Sequence, residues 1–98
     1  MLLISDNDTS IKRQRRRRIH LAMPKRMTSE AMQKAIAEYI KPYIQDYQVV
    51  LVLVYRNRSA QHFGGWIAKA LWQGGNRIEI TTDNDPELRE WIMLENRQ

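Results

Sequence analysis

Cysteine is absent from the 98 residues of this sequence, and histidine occurs only twice. Without cysteine the chain can form no disulfide framework, no thiolate zinc site and no cysteine nucleophile. Neither histidine has a nucleophile in a recognisable frame beside it, so no acid–base dyad is indicated. The acidic residues at positions 6–8 and 83–85 are interpreted as turn and helix-capping residues rather than metal ligands. We therefore predict a protein that is not an enzyme and that holds no cofactor and no metal.

Long apolar runs and nucleotide-binding loops are missing as well. The longest strongly apolar run, residues 49–54, is far too short to span a bilayer. The four glycines form neither a Walker loop nor a Gly-x-Gly-x-x-Gly pattern. Near the N-terminus the basic residues follow the apolar ones, which is the reverse of a secretory signal. These features predict a cytoplasmic protein without a membrane partner.

The size and composition indicate one small folded domain. Hydrophobic residues make up 43% of the chain and charged residues 28%, which is ordinary for a globular protein. A chain of this length buries a modest core, so additional burial against a partner or a second copy in a homodimer is compatible with it. We divide the sequence into a basic N-terminal segment, residues 1–16, and a single compact α/β domain, residues 17–98.

Positive charge is concentrated near the N-terminus. The formal net charge is +5, from 16 Lys and Arg against 11 Asp and Glu. Residues 1–27 hold eight of the bases and two of the acids, whereas residues 79–98 hold two bases and six acids. The basicity is therefore local. A cluster of this kind attracts polyanions, chiefly by releasing counterions from a phosphate backbone.

Residues 12–18 contain six bases in seven positions. Arginine forks bind phosphate oxygens in bidentate fashion, so this run predicts a salt-sensitive contact with DNA or RNA that does not read sequence. A nuclear localisation signal, an acidic protein partner, an anionic membrane or a merely solvated tail are the alternatives. The predicted nucleic-acid contacts are Lys12, Arg13, Arg15, Arg16, Arg17, Arg18, Lys25, Arg26, Arg56 and Arg58.

The first half of the chain has clear periodicity. Residues 17–23 alternate with a period of two and predict a half-buried strand, while residues 1–4 could add an edge strand or belong to a flexible tail. Apolar residues then recur at three-to-four spacing over residues 29–45, which predicts a helix capped by Thr28 or Ser29. Pro42 should kink that helix or end it near Lys41. Residues 48–56 are apolar on both faces and predict a central strand.

Residues 57–76 admit two interpretations. A helix over residues 59–73 has a continuous apolar face, with Gly74 and Gly75 ending it. The rival is a hairpin of residues 66–73 and 77–82, in which Trp66 and Trp72 would flank two alanines, a pattern poor in strand formers. We favour the helix. Residues 77–82 predict a strand under either interpretation, and residues 86–95 predict a short helix with Asp85 as its N-cap.

The resulting order, β-α-β-α-β-α, predicts a small, mostly parallel sheet of three strands, or four if residues 1–4 contribute one. The leading functional hypothesis is a non-enzymatic accessory protein that grips the phosphate backbone of nucleic acid through its arginine-rich segment. The alternative is a small adaptor or inhibitor that docks on an acidic surface of a larger protein. We interpret Tyr55, Trp66 and Trp72 as core or interface residues rather than stacking surfaces for bases.

Overall fold

The computed structural model describes residues 1–23, 27–63, 65–75 and 77–81. In this part of the chain five strands form one sheet in the order β1-β2-β3-β4-β5. The strands are β1 (Leu2–Asp8), β2 (Arg16–Ala22), β3 (Val49–Tyr55), β4 (Ala68–Trp72) and β5 (Glu79–Thr81). Helix α1 (Ser29–Ile40) connects β2 to β3, and short 3-10 turns cover Lys41–Tyr43 and Arg58–Phe63.

The sheet is mixed and mostly antiparallel. Strands β1 and β2 form an antiparallel hairpin, and the β3–β4 and β4–β5 pairs are antiparallel too. Only β2 and β3 are parallel, because α1 carries the chain back across the sheet between them. The predicted three-stranded, mostly parallel sheet with β-α-β-α-β-α order is therefore wrong. The predicted helix over residues 86–95 lies outside the described residues.

The elements with strong local signals are where the sequence predicts them. Strand β2 alternates as expected, with Ile19 and Leu21 buried, and β3 lies in the middle of the sheet. The hydroxyl of Thr28 caps α1 by accepting a hydrogen bond from the backbone N–H of Ala31 at 3.0 Å. Helix α1 ends at Ile40, and the following turn contains a proline. Both ends of α1 therefore depend on nearby residues: the Thr28 cap sets its start, and the proline restricts its end.

The predicted helix over residues 59–73 is wrong, and the hairpin alternative is correct. Ala68 and Ala70 are fully buried in β4, where their small side chains pair with the β-branched residues of β3. Burial against a neighbouring strand overrides the weak strand propensity of alanine. Gly74 and Gly75 have φ values of 103° and 72°, so they reverse the chain between β4 and β5 instead of ending a helix.

The hydrophobic core lies between α1 and one face of the sheet, which we call the helix face. Apolar residues of α1 recur every fourth position and pack onto the three central strands. The largest fully buried side chains are Ile19, Leu21, Met32, Ile36, Ile40, Val50, Val52 and Val54. The opposite side of the sheet, which we call the open face, carries the other set of alternating side chains.

The turn of the β1–β2 hairpin contains a strained residue. Lys12 adopts a φ of 51° between Ile11 and Gln14, which bridge each other across the turn. We expect Lys12→Gly to raise the free energy of unfolding by about 0.5–1 kcal/mol in urea denaturation, because glycine adopts this conformation without steric cost. The matched control, Arg13→Gly, should lower it, since the φ of Arg13 is not positive. Equal effects of the two changes would contradict this prediction.

Candidate nucleic-acid interface

The basic run is divided among three places by the geometry of the β1–β2 hairpin. Lys12 and Arg13 form the exposed tip of the turn. Successive side chains of β2 then point to opposite faces of the sheet. Arg16 and Arg18 lie on the open face, whereas Arg17 lies on the helix face in line with the buried Ile19. Six neighbouring bases therefore have different environments.

Arg17 is held in a half-buried polar cluster. Its Nε donates to Oδ1 of Asp6 at 2.5 Å, and its Nη1 donates to the hydroxyl of Tyr47 at 3.1 Å. The Tyr47 hydroxyl donates in turn to Oδ2 of Asp8 at 2.9 Å, and the Tyr43 hydroxyl donates to Oδ2 of Asp6. The guanidinium also lies 4.8 Å from the centre of the Tyr43 ring. This geometry uses the charge of Arg17 to join β1, β2 and the segment after α1.

The pKa values in the cluster keep Arg17 and Asp8 charged and the Tyr43 hydroxyl protonated. The hydrogen bond that Arg17 donates to the Asp6 carboxylate raises the pKa of Arg17 above its ordinary value. Hydrogen bonds from Ser10 and then from Tyr47 lower the pKa of Asp8 to about 2. The pKa of Tyr43 is raised, mainly because its hydroxyl donates to the Asp6 carboxylate. Both aspartates thus accept hydrogen bonds from partners within the fold.

Arg15 has an intermediate position. Its backbone N–H donates to the side chain of Gln48 at 3.0 Å, which fastens the hairpin to the start of β3. Its guanidinium lies 4.7 Å from the centre of the Tyr47 ring, an exposed cation–π contact. The Arg15 guanidinium can still reach a phosphate, but it would then lose or share its contact with the Tyr47 ring.

The open face combines basic and apolar side chains. Arg16 pairs with Val49 and Arg18 with Leu51 along the β2–β3 register. Lys69 of β4 faces the same side, since it pairs with Leu53 of the central strand. Arg16 and Arg18 are two residues apart on one strand, a spacing of about 6.6 Å. The face therefore presents a row of two guanidiniums beside an apolar strip.

His20 lies on the same open face, two residues after Arg18 in β2. Its Nδ1 pairs with the side-chain amide nitrogen of Gln61, and its ring is 5.6 Å from that of the buried Tyr55. Its Nε2 is buried and has no hydrogen-bond partner among the described residues. Burial, and then the positive charge of Arg18, lower the pKa of His20 below 6.5. The fold therefore favours the neutral imidazole.

Stability should depend on pH through this histidine. Because the folded pKa of His20 is lower than the unfolded one, the unfolded chain takes up a proton first as the pH falls. We expect the contribution of His20 to the free energy of unfolding to be fully present above pH 6.5 and to be lost as the pH falls from there towards the folded pKa. Urea titrations at successive pH values measure this, and His20→Gln should flatten the decrease. His62→Gln, at an exposed position, is the control and should retain it.

The remaining predicted contacts are less informative. Both arginines are exposed: Arg56 directly follows β3, and Arg58 begins the 3-10 turn. Lys25 and Arg26 lie outside the described residues. Tyr55, predicted to be core or interface, is buried.

Sequence reasoning missed the partners of Arg17. The alternation that identified β2 contains the signal. Arg17 is two residues before the buried Ile19, so its side chain points to the same, core side of the strand. An arginine in that position needs a carboxylate. Asp6 supplies it from a diagonal position: the hairpin register pairs Asp8 with Arg17 and Asp6 with Ile19, so the acid that Arg17 contacts is not the one directly opposite.

Two adjoining open grooves, of about 240 and 290 Å³, lie along α1 on the helix face, one against Trp72 and Ile78 and the other against Ile78 and Ile80. They are on the side of the sheet opposite Arg16 and Arg18 and do not belong to the basic surface. In residues 1–23, 27–63, 65–75 and 77–81, no three side chains of His, Asp or Glu are grouped as metal ligands. No helix in that part of the chain has the length and hydropathy needed to cross a bilayer.

Comparison of the chain with protein-family models, with characterised proteins and with solved structures gives no match. What the protein binds is therefore inferred from the geometry and charge of its described residues.

Proposed function

We propose that this protein is a non-enzymatic, cytoplasmic accessory protein that binds DNA or RNA by gripping the phosphate backbone with low sequence specificity. One observation carries the proposal: the hairpin leaves four bases of the run at least partly exposed without a contact to a described ring, whereas the exposed Arg15 packs on the ring of Tyr47. Lys12 and Arg13 occupy its tip, and Arg16 and Arg18 line the open face beside it. Arginine and lysine in this arrangement can contact successive phosphates without reading base edges.

Arg17 has a different role in this proposal. Its guanidinium is committed to Asp6 and to the hydroxyl of Tyr47, and binding a phosphate would require breaking both contacts. We assign Arg17 to the fold and not to the ligand. Arg15, Arg56 and Arg58 are secondary contacts in the proposal, as are Lys25 and Arg26.

The salt dependence of binding tests the proposal quantitatively. Four phosphate contacts would release counterions from duplex DNA. The logarithm of the binding constant would then fall with the logarithm of the salt concentration at a slope of about −3.6. Affinity should then weaken about 150-fold between about 50 and 200 mM salt. Fluorescence anisotropy with labelled nucleic acid and the full chain measures this slope. No binding at low salt would reject the proposal.

A matched pair of variants identifies the residues responsible. We expect Arg16→Gln with Arg18→Gln to remove two contacts, so the slope should fall to about −1.8 and the salt effect to about 12-fold. Lys34→Gln with Lys41→Gln removes the same charge from exposed positions at α1 and should leave the slope unchanged. Equal losses in both variants would mean that net charge, and not the open face, drives binding.

An adaptor or inhibitor that docks on an acidic protein surface is the second candidate. The observation in its favour is that β1 is an edge strand of the sheet with Leu2 60% and Leu3 46% exposed. An edge of this kind can accept a strand from a partner, and the arginines would steer the encounter. Stoichiometric binding to a purified protein, without affinity for DNA or RNA, would favour this function over the first.

A further inference from the structure

The β1–β2 hairpin extends beyond the start of the strand that follows it in the sheet. Strand β3 begins at Val49, opposite Arg16, and the last backbone contacts between the two segments join Arg15 to Gln48 and Val49. Ile11 and Gln14, farther out, are joined to each other by two backbone hydrogen bonds of 3.0 and 2.9 Å and to no other backbone group among the described residues. The end of the hairpin is therefore a narrow two-stranded ribbon.

The composition of this ribbon end suits a groove of nucleic acid. Residues 9–18 contain no acid, and Lys12 and Arg13 are exposed at its tip. Ile11 is 55% exposed beside them. Arginine and lysine bind guanine O6 and N7, and apolar side chains contact the methyl group of thymine. All of these groups are displayed in the major groove of DNA.

Dimensions distinguish between the grooves. Two paired strands lie about 4.8 Å apart, and the major groove of B-form DNA, about 12 Å wide, admits a two-stranded β-ribbon. The minor groove, about 6 Å wide, does not offer that space. The major groove of an RNA duplex is deep and too narrow for side chains to read. The shape of the ribbon therefore favours DNA duplex over RNA duplex.

The aromatic side chains near the basic surface do not favour a single strand. Binding of single strands depends on bases stacking on accessible aromatic rings. The rings of Tyr43 and Tyr47 contact each other edge to face and are covered by Arg17 and Arg15. Tyr55, on the open face, is only 3% exposed. Among the side chains that the structure describes, no tyrosine or tryptophan ring is exposed.

We propose that the tip of the β1–β2 hairpin enters the major groove of B-form DNA while Arg16 and Arg18 hold the adjacent phosphates. This inference rests on the proposed function and narrows its ligand to duplex DNA. Lys12 and Arg13 enter the groove in this arrangement, where their charges still neutralise the phosphates at its edges while their side chains reach base edges, and the open face follows the backbone. Because these two pairs of basic side chains contact different parts of the DNA, replacing one pair should affect binding differently from replacing the other.

The test compares four ligands of one sequence: a DNA duplex, the corresponding RNA duplex and the two separate DNA strands. Anisotropy with the full chain should show at least about tenfold tighter binding to the DNA duplex than to the others. Lys12→Gly with Arg13→Gln should remove this preference, and the glycine protects the fold by relieving the positive φ at the turn. Arg16→Gln with Arg18→Gln should instead weaken binding to all four ligands alike. Methylation of guanine N7 by dimethyl sulfate should decrease in the complex, because that atom faces the major groove.

Each outcome bears on a different part of the proposal. Equal or tighter binding to the RNA duplex or to either single strand would overturn insertion into the major groove while leaving the phosphate grip intact. Unchanged reactivity of guanine N7 in a complex that forms would also overturn it. Failure to bind any of the four ligands at low salt would reject the proposed function together with this inference.

Discussion

Replacing Arg17 by alanine should lower the free energy of unfolding by about 2–3 kcal/mol, whereas replacing Arg18 by alanine should change it by less than about 0.5 kcal/mol. The two residues are neighbours in the basic run but lie on opposite faces of β2. Loss of the Arg17 guanidinium leaves the Asp6 carboxylate, whose side chain is 19% exposed, without its cation. Removing one partner of a fully buried pair costs more, and the partial exposure of this pair reduces the effect.

Urea denaturation followed by circular dichroism measures both variants. A double-mutant cycle with Asp6→Asn and Arg17→Gln tests the cause, because the double variant should lose less stability than the sum of the single ones. The Arg18 variant serves as the control for charge and for strand position, and should lose affinity for nucleic acid while keeping its fold. A stable Arg17 variant with weakened binding would show that Arg17 belongs to the ligand site after all.

The largest loss of stability is expected for Trp72→Ala, about 3–5 kcal/mol. Trp72 is 7% exposed and belongs to the core cluster beneath α1, where β4 pairs it with Val50. Its indole Nε1 also donates to the carbonyl of Gly75 at 3.0 Å, which ties the side chain to the β4–β5 turn. Removing the ring would leave a cavity and release that turn. With a total stability of about 5–15 kcal/mol for a domain of this kind, the variant should be close to unfolding.

Trp66→Ala is the matched control for this change. Trp66 is only half-buried and precedes β4, and its ring lies 5.5 Å from the Nζ atom of Lys69 in that strand. We expect a loss of about 1 kcal/mol from this contact and its partial burial. Trp72→Phe should have an intermediate effect, because phenylalanine fills most of the space but donates no hydrogen bond. Equal losses at both tryptophans in thermal denaturation would contradict the difference in burial between Trp66 and Trp72.

Local sequence signals predicted the first half of the fold well. The alternation around Ile19, the cap at Thr28 and the stop before Pro42 act within a few residues of each other, so they are visible without knowing the rest of the chain. The apolar run of β3 predicted its central place, since a strand buried on both faces needs cover from both sides. These elements are confirmed with boundaries close to those expected.

The segment around β4 shows where local signals are insufficient. Ala68 and Ala70 have little strand propensity, and a helix over the same residues offers a continuous apolar face. What decides the structure is the pairing of β4 with the edge of β3, a contact between residues far apart in sequence. The directions of the strands follow from such pairings too, which is why the mostly parallel sheet was predicted incorrectly.

The sequence alone established that the chain is basic in one short run, that it lacks the residues for disulfides and thiolate metal sites, and that a helix connects two strands. Those properties depend on residue identity and short-range periodicity. The tertiary structure alone decided that Arg17 is bound to Asp6, that Lys12 and Arg13 form a projecting tip, and that Arg16 and Arg18 share the open face. The physical reason is that hairpin register and sheet order bring distant residues together, and a linear pattern of charge contains neither.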